Sequence, residues 1–324
     1  MDDIKQLQLL FNDYLEKNSF EEHPKELYEP NNYFLAIGGK RIRPVMLLLG
    51  TQLFDKNPIS SLPAAFSIEL FHNFTLIHDD VMDNATVRRG VETIHKKYGL
   101  NTAILSGDVL IIKAYEYLSK IDSNYLPKIF NLFNKTAVEV CEGQQMDINF
   151  ETQNNVDMAD YLKMITLKTS VLLAVSLQIG AILGGAGDQE SEALYQYALN
   201  LGIAFQIQDD ILDSFGEGAV VGKKIGGDIL QNKKTLLTIR VIELEIANQK
   251  MDFLNLISLD NLSDEEKING VLKIFNHYEI KKFAESKREE YVKKSIDALD
   301  NLGLSNEKKQ KLKNLVTLLV YRAL

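Results

Sequence analysis

An all-α fold is what this sequence predicts, on three observations. Apolar residues recur at three- and four-residue spacing along nearly the whole chain, the period of a buried helix face. Few segments alternate as strands do. Only six prolines interrupt 324 residues. Two of them, Pro44 and Pro63, stand where a helix tolerates proline, in its first turn. The periodicity predicts helices over about 3–17, 24–36, 44–54, 63–84, 101–119, 125–151, 157–185, 190–213, 233–249, 264–276, 278–301 and 305–323. Ser263 and Glu266 form a capping-box pattern at the head of a late helix. No Ser- or Pro-rich linker and no low-complexity stretch divides the chain. Residues 1–324 are therefore expected to form one domain, with the more polar residues 249–305 as a peripheral sub-bundle.

Composition excludes several classes. With 45% hydrophobic residues the chain has ample material for a core, and a net charge of −9 argues against a nucleic-acid partner. The single cysteine, Cys141, rules out an internal disulfide and fits a reducing compartment. The opening MDDIKQ has neither a basic nor an apolar region of a secretory signal, so a cytoplasmic location is expected. The uncharged run from Thr169 to Gly187 approaches membrane-spanning length. Ser170, Ser176, Gln178 and a Gly/Ala-rich end dilute it, so it is expected to be a buried core helix and no transmembrane segment is expected.

The chemistry gathers around residues 72–90, HNFTLIHDDVMDNATVRRG. An apolar helical run ends there in Asp79, Asp80 and Asp83, and the basic pair Arg88-Arg89 comes next. Asp79 and Asp83 share a helix face, where like charges with no cation between them are destabilising. The pattern recurs in QIQDDILD, residues 206–213, as Asp209, Asp210 and Asp213. One such segment alone would be a solvated helix end. Two of them, each after a largely uncharged run, could face each other across a helical bundle. They would supply the hard oxygen ligands that Mg²⁺ takes alongside water and phosphate. A third feature is Gly38-Gly39-Lys40-Arg41-Ile42-Arg43-Pro44. Its glycines permit a tight path, and its cations stand beside the N-terminus of a helix, a good anion site.

GGKRIRP, then HNFTLIHDDVMDNATVRRG, then EGQQMD, then QIQDDILD, then GKKIGGD resemble the trans-polyprenyl diphosphate synthases, in order and spacing over roughly residues 30–240. The resemblance implies an all-α, single-domain bundle of the isoprenoid synthase type with a central active-site cavity. It implies condensation of isopentenyl diphosphate with an allylic diphosphate. Asp79, Asp83 and Asp209 would hold three Mg²⁺ ions on the allylic diphosphate, supported by Asp80, Asp210 and Asp213. Arg88, Lys168 and Lys223 would add positive charge there, with Lys233 nearby. Thr169 and Gln206 would line the path of the allylic cation. Lys40, Arg43, His72 and Arg89 would bind isopentenyl diphosphate, and Gln144 and Asp147 would assist the metals through water. The departing diphosphate can accept the released proton, so no side-chain base is required. A homodimer is the usual assembly of such proteins.

Product length is also addressed by the resemblance. Phe74 stands five residues before Asp79 with small Thr75 after it, and the acid motif carries no insertion. Phe74 lies roughly 7–8 Å along the helix from Asp79. A bulky ring there would act as the floor of an apolar tunnel, and a lone Phe resembles the geranylgeranyl (C20) pattern. Two other classes compete with this reading. A metal phosphohydrolase would use the His78-Asp79 doublet, but His23, His72, His95 and His277 are not spaced to complete its ligand set. A non-catalytic helical partner subunit would ordinarily have lost one of the motifs that are all present here.

Overall fold

The computed structural model describes residues 2–153, 155–216, 226–259, 261–300 and 302–321. Helices dominate it. The chain runs α1 Asp2–Lys17, α2 Lys25–Ala36, α3 Ile42–Gln52, a 3₁₀ turn Pro58–Ser61 and α4 Leu62–Met82. A two-stranded hairpin, β1 Val87–Arg88 and β2 Val91–Glu92, precedes α5 Ile94–Lys97 and α6 Leu100–Leu118. Then come α7 Leu126–Thr152, α8 Met158–Ile165, a π turn Thr166–Ser170, α9 Val171–Gly184 and α10 Asp188–Phe215. The remainder is α11 Gly227–Leu230, α12 Leu236–Ala247, α13 Asp252–Ile257, α14 Asp264–His277, α15 Ile280–Asp297 and α16 Asn306–Leu319.

Two compact units are formed. One comprises Met1–Lys135 with Leu172–Tyr195. Here α4 packs along α6 and α3, and Phe66, Ile68, Leu70 and Phe71 of α4 are buried. The other comprises Thr136–Val171 with Gln196–Leu324. Its core joins Tyr161 and Ile165 of α8, Ile203, Ile207 and Ile211 of α10, and Leu237, Ile239 and Val241 of α12.

Four expectations change in detail. Residues 249–305 are not peripheral: Phe253, Val271, Phe275, Ile280 and Ala284 enter the same core cluster as Tyr161 and Ile207. The longer of those helices, α14 and α15, are mostly polar and bury only a few apolar side chains, which is why composition alone misleads. The helix over 63–84 stops at Met82, with Asp83 as its cap. The hairpin at 87–92 has strands too short for any periodic signal. The helix over 157–185 is interrupted by the π turn at Thr166–Ser170. The stretch Met158–Gly184 is long and apolar enough to cross a membrane, but 78% of its apolar window is buried, as befits a core helix. Ser263 does cap α14 by the predicted box, accepting from Glu266 N.

Candidate active site

The first acid ladder lies at the C-terminal end of α4, where the helix dipole makes carboxylates unfavourable. Asp83 caps the helix, donating its backbone N–H to Asp79 O at 2.8 Å. The sequence answers this charge through the hairpin. Arg89 and Gly90 both have positive φ, +52° and +83°, the requirement of a two-residue type I′ turn. That tight turn sends consecutive arginines to different partners. Arg88 Nε donates to both oxygens of Asp80, at 2.7 and 2.8 Å, and its Nη2 lies 3.3 Å from Asp79 Oδ2. Arg89 Nη1 donates to the Gly38 carbonyl. A Cβ on Gly39 would come within 2.7 Å of that same nitrogen, so the second glycine of GGKRIRP makes room for Arg89. Asp80 is buried, and burial pushes its carboxyl up to about 6 against the pull of Arg88.

The basic loop is built on a buried ion pair. Arg41, 6% exposed, donates to Glu69 Oε1 at 2.5 Å and to Leu35 O at 2.5 Å. It therefore supports the loop from within, while Lys40 on the same loop is exposed. Arg43 Nη1 lies 3.0 Å from His72 Nε2, and Arg43 Nε is buried with no hydrogen-bond partner. A guanidinium only donates, so His72 Nε2 accepts and the imidazole is neutral. Burial holds His72 well below the ordinary histidine range, and Arg43, Arg89, Arg88 and Arg41 push in the same direction. Burial also lowers Arg43 to about 10, with Glu69 opposing.

Stability should respond to this. His72 refuses a proton that the unfolded chain accepts below pH about 6.5. Its contribution is complete above that pH and is lost as pH falls. Compared with His72→Gln, the parent is expected to lose more melting temperature on acidification from pH 7 to 5. Parallel melting curves across that range check it. Identical slopes would remove His72 from the account.

The second ladder is assembled by α7, α8 with its π turn, and α10. Gly143 of α7 lets two backbones touch: a Cβ there would lie 2.2 Å from Lys168 N. That approach brings Lys168 Nζ to 2.6 Å from Asp147 Oδ2. A π turn inserts a residue and rotates the helix beyond it, and such turns gather at functional sites. Here it sets Thr169 Oγ1 3.3 Å from Gln206 Oε1. Gln206 Nε2 donates onward to Asp210 Oδ1 at 3.2 Å, and the Tyr161 hydroxyl donates to Asp210 Oδ2 at 2.6 Å. Asp210 is buried, and burial lifts its carboxyl far above the usual range, with the charge of Asp228 adding to the shift. Asp213 caps α11, accepting from Asp228 N at 3.0 Å. A cleft of about 460 Å³ is lined by Asp147, Lys168, Thr169, Gln206, Asp210 and Asp228, and also by Lys233 and Lys234. Lys233 Nζ lies 4.0 Å from Asp228 Oδ1.

The structure thus gathers Asp79, Asp80, Arg88 and Arg89 with Arg43 and His72 in one unit. In the other it gathers Lys168, Thr169, Gln206, Asp210 and Lys233 around one cleft. Asp80 and Asp210 are buried and bonded within the protein. Lys223 lies outside the described residues. Sequence reasoning missed Glu69, Tyr161, Asp228 and Lys234. Asp228 and Lys234 stand in or beside the GKKIGGD motif and had a signal, whereas Glu69 and Tyr161 had none.

The donors suit magnesium. The ladders offer aspartate oxygens and neither sulfur nor imidazole. Among the described residues no three acidic, histidine or cysteine side chains form a ready-made metal cage.

A helical protein that surrounds a neutral imidazole with arginines and places aspartates near the ends of two helices offers donors that suit a polyanion. The chain belongs to the polyprenyl synthetase family, whose model matches residues 24–275, and it is a trans-prenyltransferase. A geranylgeranyl diphosphate synthase of Methanosarcina mazei is 46% identical over 222 residues, 68% of each chain. A geranylfarnesyl diphosphate synthase of Natronomonas pharaonis is 38% identical over 320 residues, covering 93% of this chain and 92% of that one. The crystal structure of a geranylgeranyl pyrophosphate synthase superposes with a TM-score of 0.93 at 39% identity, covering 98% of both chains.

Proposed function

We propose that the chain, acting as one catalytic domain, condenses isopentenyl diphosphate with an allylic diphosphate and delivers geranylgeranyl diphosphate. The observation that carries the substrate assignment is the arginine cluster around neutral His72: Arg41, Arg43, Arg88 and Arg89 with Glu69 as buried counter-charge. Such a pocket suits a diphosphate held without a metal. Arg43, Arg89, His72 and Lys40 bind isopentenyl diphosphate there.

Asp79 and Asp83 of the first ladder, and Asp209 of the second, would hold the magnesium ions, three of them expected, that serve the allylic diphosphate. Those ions, when bound, supply Lewis acidity and a template for the leaving group. Lys168, Lys223 and Lys233 add positive charge for the same group. Asp80 holds Arg88 in place, Asp210 anchors Gln206, and Asp213 caps α11. The allylic C–O bond breaks, the isopentenyl double bond attacks the resulting cation, and a proton passes to the departed diphosphate. Thr169 donates its hydroxyl proton to Gln206 Oε1, so its lone pairs are what it presents to the cation, a form of electrostatic preorganisation. A cytoplasmic homodimer completes the proposal. Cys141, the only cysteine, suits a reducing compartment, and the exposed apolar side chains Leu105, Ile112 and Phe130 suit an interface.

Incubation with isopentenyl diphosphate, each allylic primer and Mg²⁺ tests the activity. Chain elongation is expected, and phosphate release without elongation would sink the proposal. Phe74 is the proposed floor of the product tunnel, and Phe74→Ala is expected to lengthen the product by at least one five-carbon unit. Chromatography of the dephosphorylated alcohols reads it, and an unchanged length would remove Phe74 from that role.

A further inference from the structure

We propose that His78, seated in a notch on α6 at Gly107, is the strut that holds the Phe74 ring in place, so that His78 and Gly107 are further specificity-determining positions. The proposal rests on Phe74 being the floor.

The geometry is specific. His78 Nε2 lies 3.1 Å from the carbonyl oxygen of Ile104 on α6. A carbonyl only accepts, so that nitrogen carries a proton and donates. A Cβ on Gly107 would lie 2.3 Å from the same nitrogen and 2.5 Å from Cδ2, so the imidazole rests on bare backbone. No larger residue at 107 leaves the ring where it is. The imidazole also meets Phe74, with centroids 4.8 Å apart and planes at 67°. Phe74 in turn meets Phe71 at 5.6 Å, and buried Phe71 meets buried Phe133 at 5.4 Å.

Phe74 is therefore gripped along α4 from three residues before and four residues after, the two spacings that bring helix side chains together. A ring free to change rotamer yields to a growing hydrocarbon chain, and a ring gripped on both sides does not. Packed side chains hold one arrangement rather than deforming continuously. The floor is then set by Phe71, Phe74 and His78 on α4 and by the bare backbone of Gly107 on α6.

Product length tests this, read by chromatography of the dephosphorylated alcohols for the parent, Phe74→Ala, His78→Ala and the double variant. His78→Ala is expected to shift the main product upward by one five-carbon unit. His78→Phe, which keeps a ring in the notch, is expected to restore the parent length. The double variant is expected to match Phe74→Ala alone, because the strut then has nothing to hold. Lengthening by Phe74→Ala with parent-length product from His78→Ala would overturn the strut and leave the floor standing. No lengthening by either would overturn both. A double variant longer than Phe74→Ala would show His78 lining the tunnel itself, and that also overturns the strut. Gly107→Ala provides a second route if His78→Ala fails to fold. It unseats the ring by contact and is expected to change product length, whereas a parent-length product would overturn the proposal.

Discussion

Asp79→Ala, and separately Asp209→Ala, is expected to lower kcat for elongation by about a thousandfold or more while leaving the protein as stable as before. Neutralising a diphosphate leaving group through bound cations is worth several kcal/mol of barrier. Each 1.4 kcal/mol or so is tenfold in rate, so losing about 4 kcal/mol gives the thousandfold. Stability moves the other way for a physical reason. Asp79 stands in the last turn of α4, where the dipole opposes a carboxylate, and Asp80 and Asp83 repel it. Arg88 offsets part of this, but its closest bonds go to Asp80 rather than Asp79. Removing Asp79 therefore relieves strain, and the melting temperature is expected to hold or rise, a trade-off common at active sites. Steady-state rates and melting curves on the same preparations read both. Parent-like kcat in Asp79→Ala would end the metal assignment, and a large fall in melting temperature would mark Asp79 as structural.

Glu69→Ala is expected to cost about 3–5 kcal/mol of stability, because it leaves the buried Arg41 charge without its partner. Both side chains of this pair are 4% exposed and the N–O distance is 2.5 Å. Glu69→Gln keeps a hydrogen-bond acceptor and is expected to cost less. The double variant Arg41→Met/Glu69→Leu removes both charges, and buried pairs replaced in this way often become neutral or better for stability. The two readouts then separate. Folding recovers in the double variant, but KM for isopentenyl diphosphate stays raised, because Arg41 also fixes the loop through Leu35 O. Urea midpoints and KM for each substrate distinguish the cases. A double variant with parent KM would reduce the pair to simple core packing.

Sequence and structure agree unevenly along the chain. The helices over 101–119 and 125–151 are observed as Leu100–Leu118 and Leu126–Thr152, because long amphipathic periods and good helix formers leave little choice. The hairpin at 87–92 could not be seen, since two residues per strand carry no period. It nevertheless decides where Arg88 and Arg89 go. The π turn at Thr166–Ser170 was equally hidden, since five residues are too few to carry a period of their own. His78 has no role that its own sequence context reveals. Only the structure shows that its ring lies against the bare backbone of Gly107.

By itself the sequence determined the helical class, the family and the residue types of both acid ladders and the basic loop. Periodicity and motif spacing are properties of one dimension, and those features need nothing more. Tertiary structure alone decided which of those residues are occupied with each other: Asp80 by Arg88, Asp210 by Tyr161 and Gln206, Arg41 by Glu69. Burial and close approach, of α7 to the π turn at Gly143 and of the Arg89 side chain to Gly39, come from elements meeting in space. They give similar aspartates different surroundings, Asp80 and Asp210 being buried among named partners.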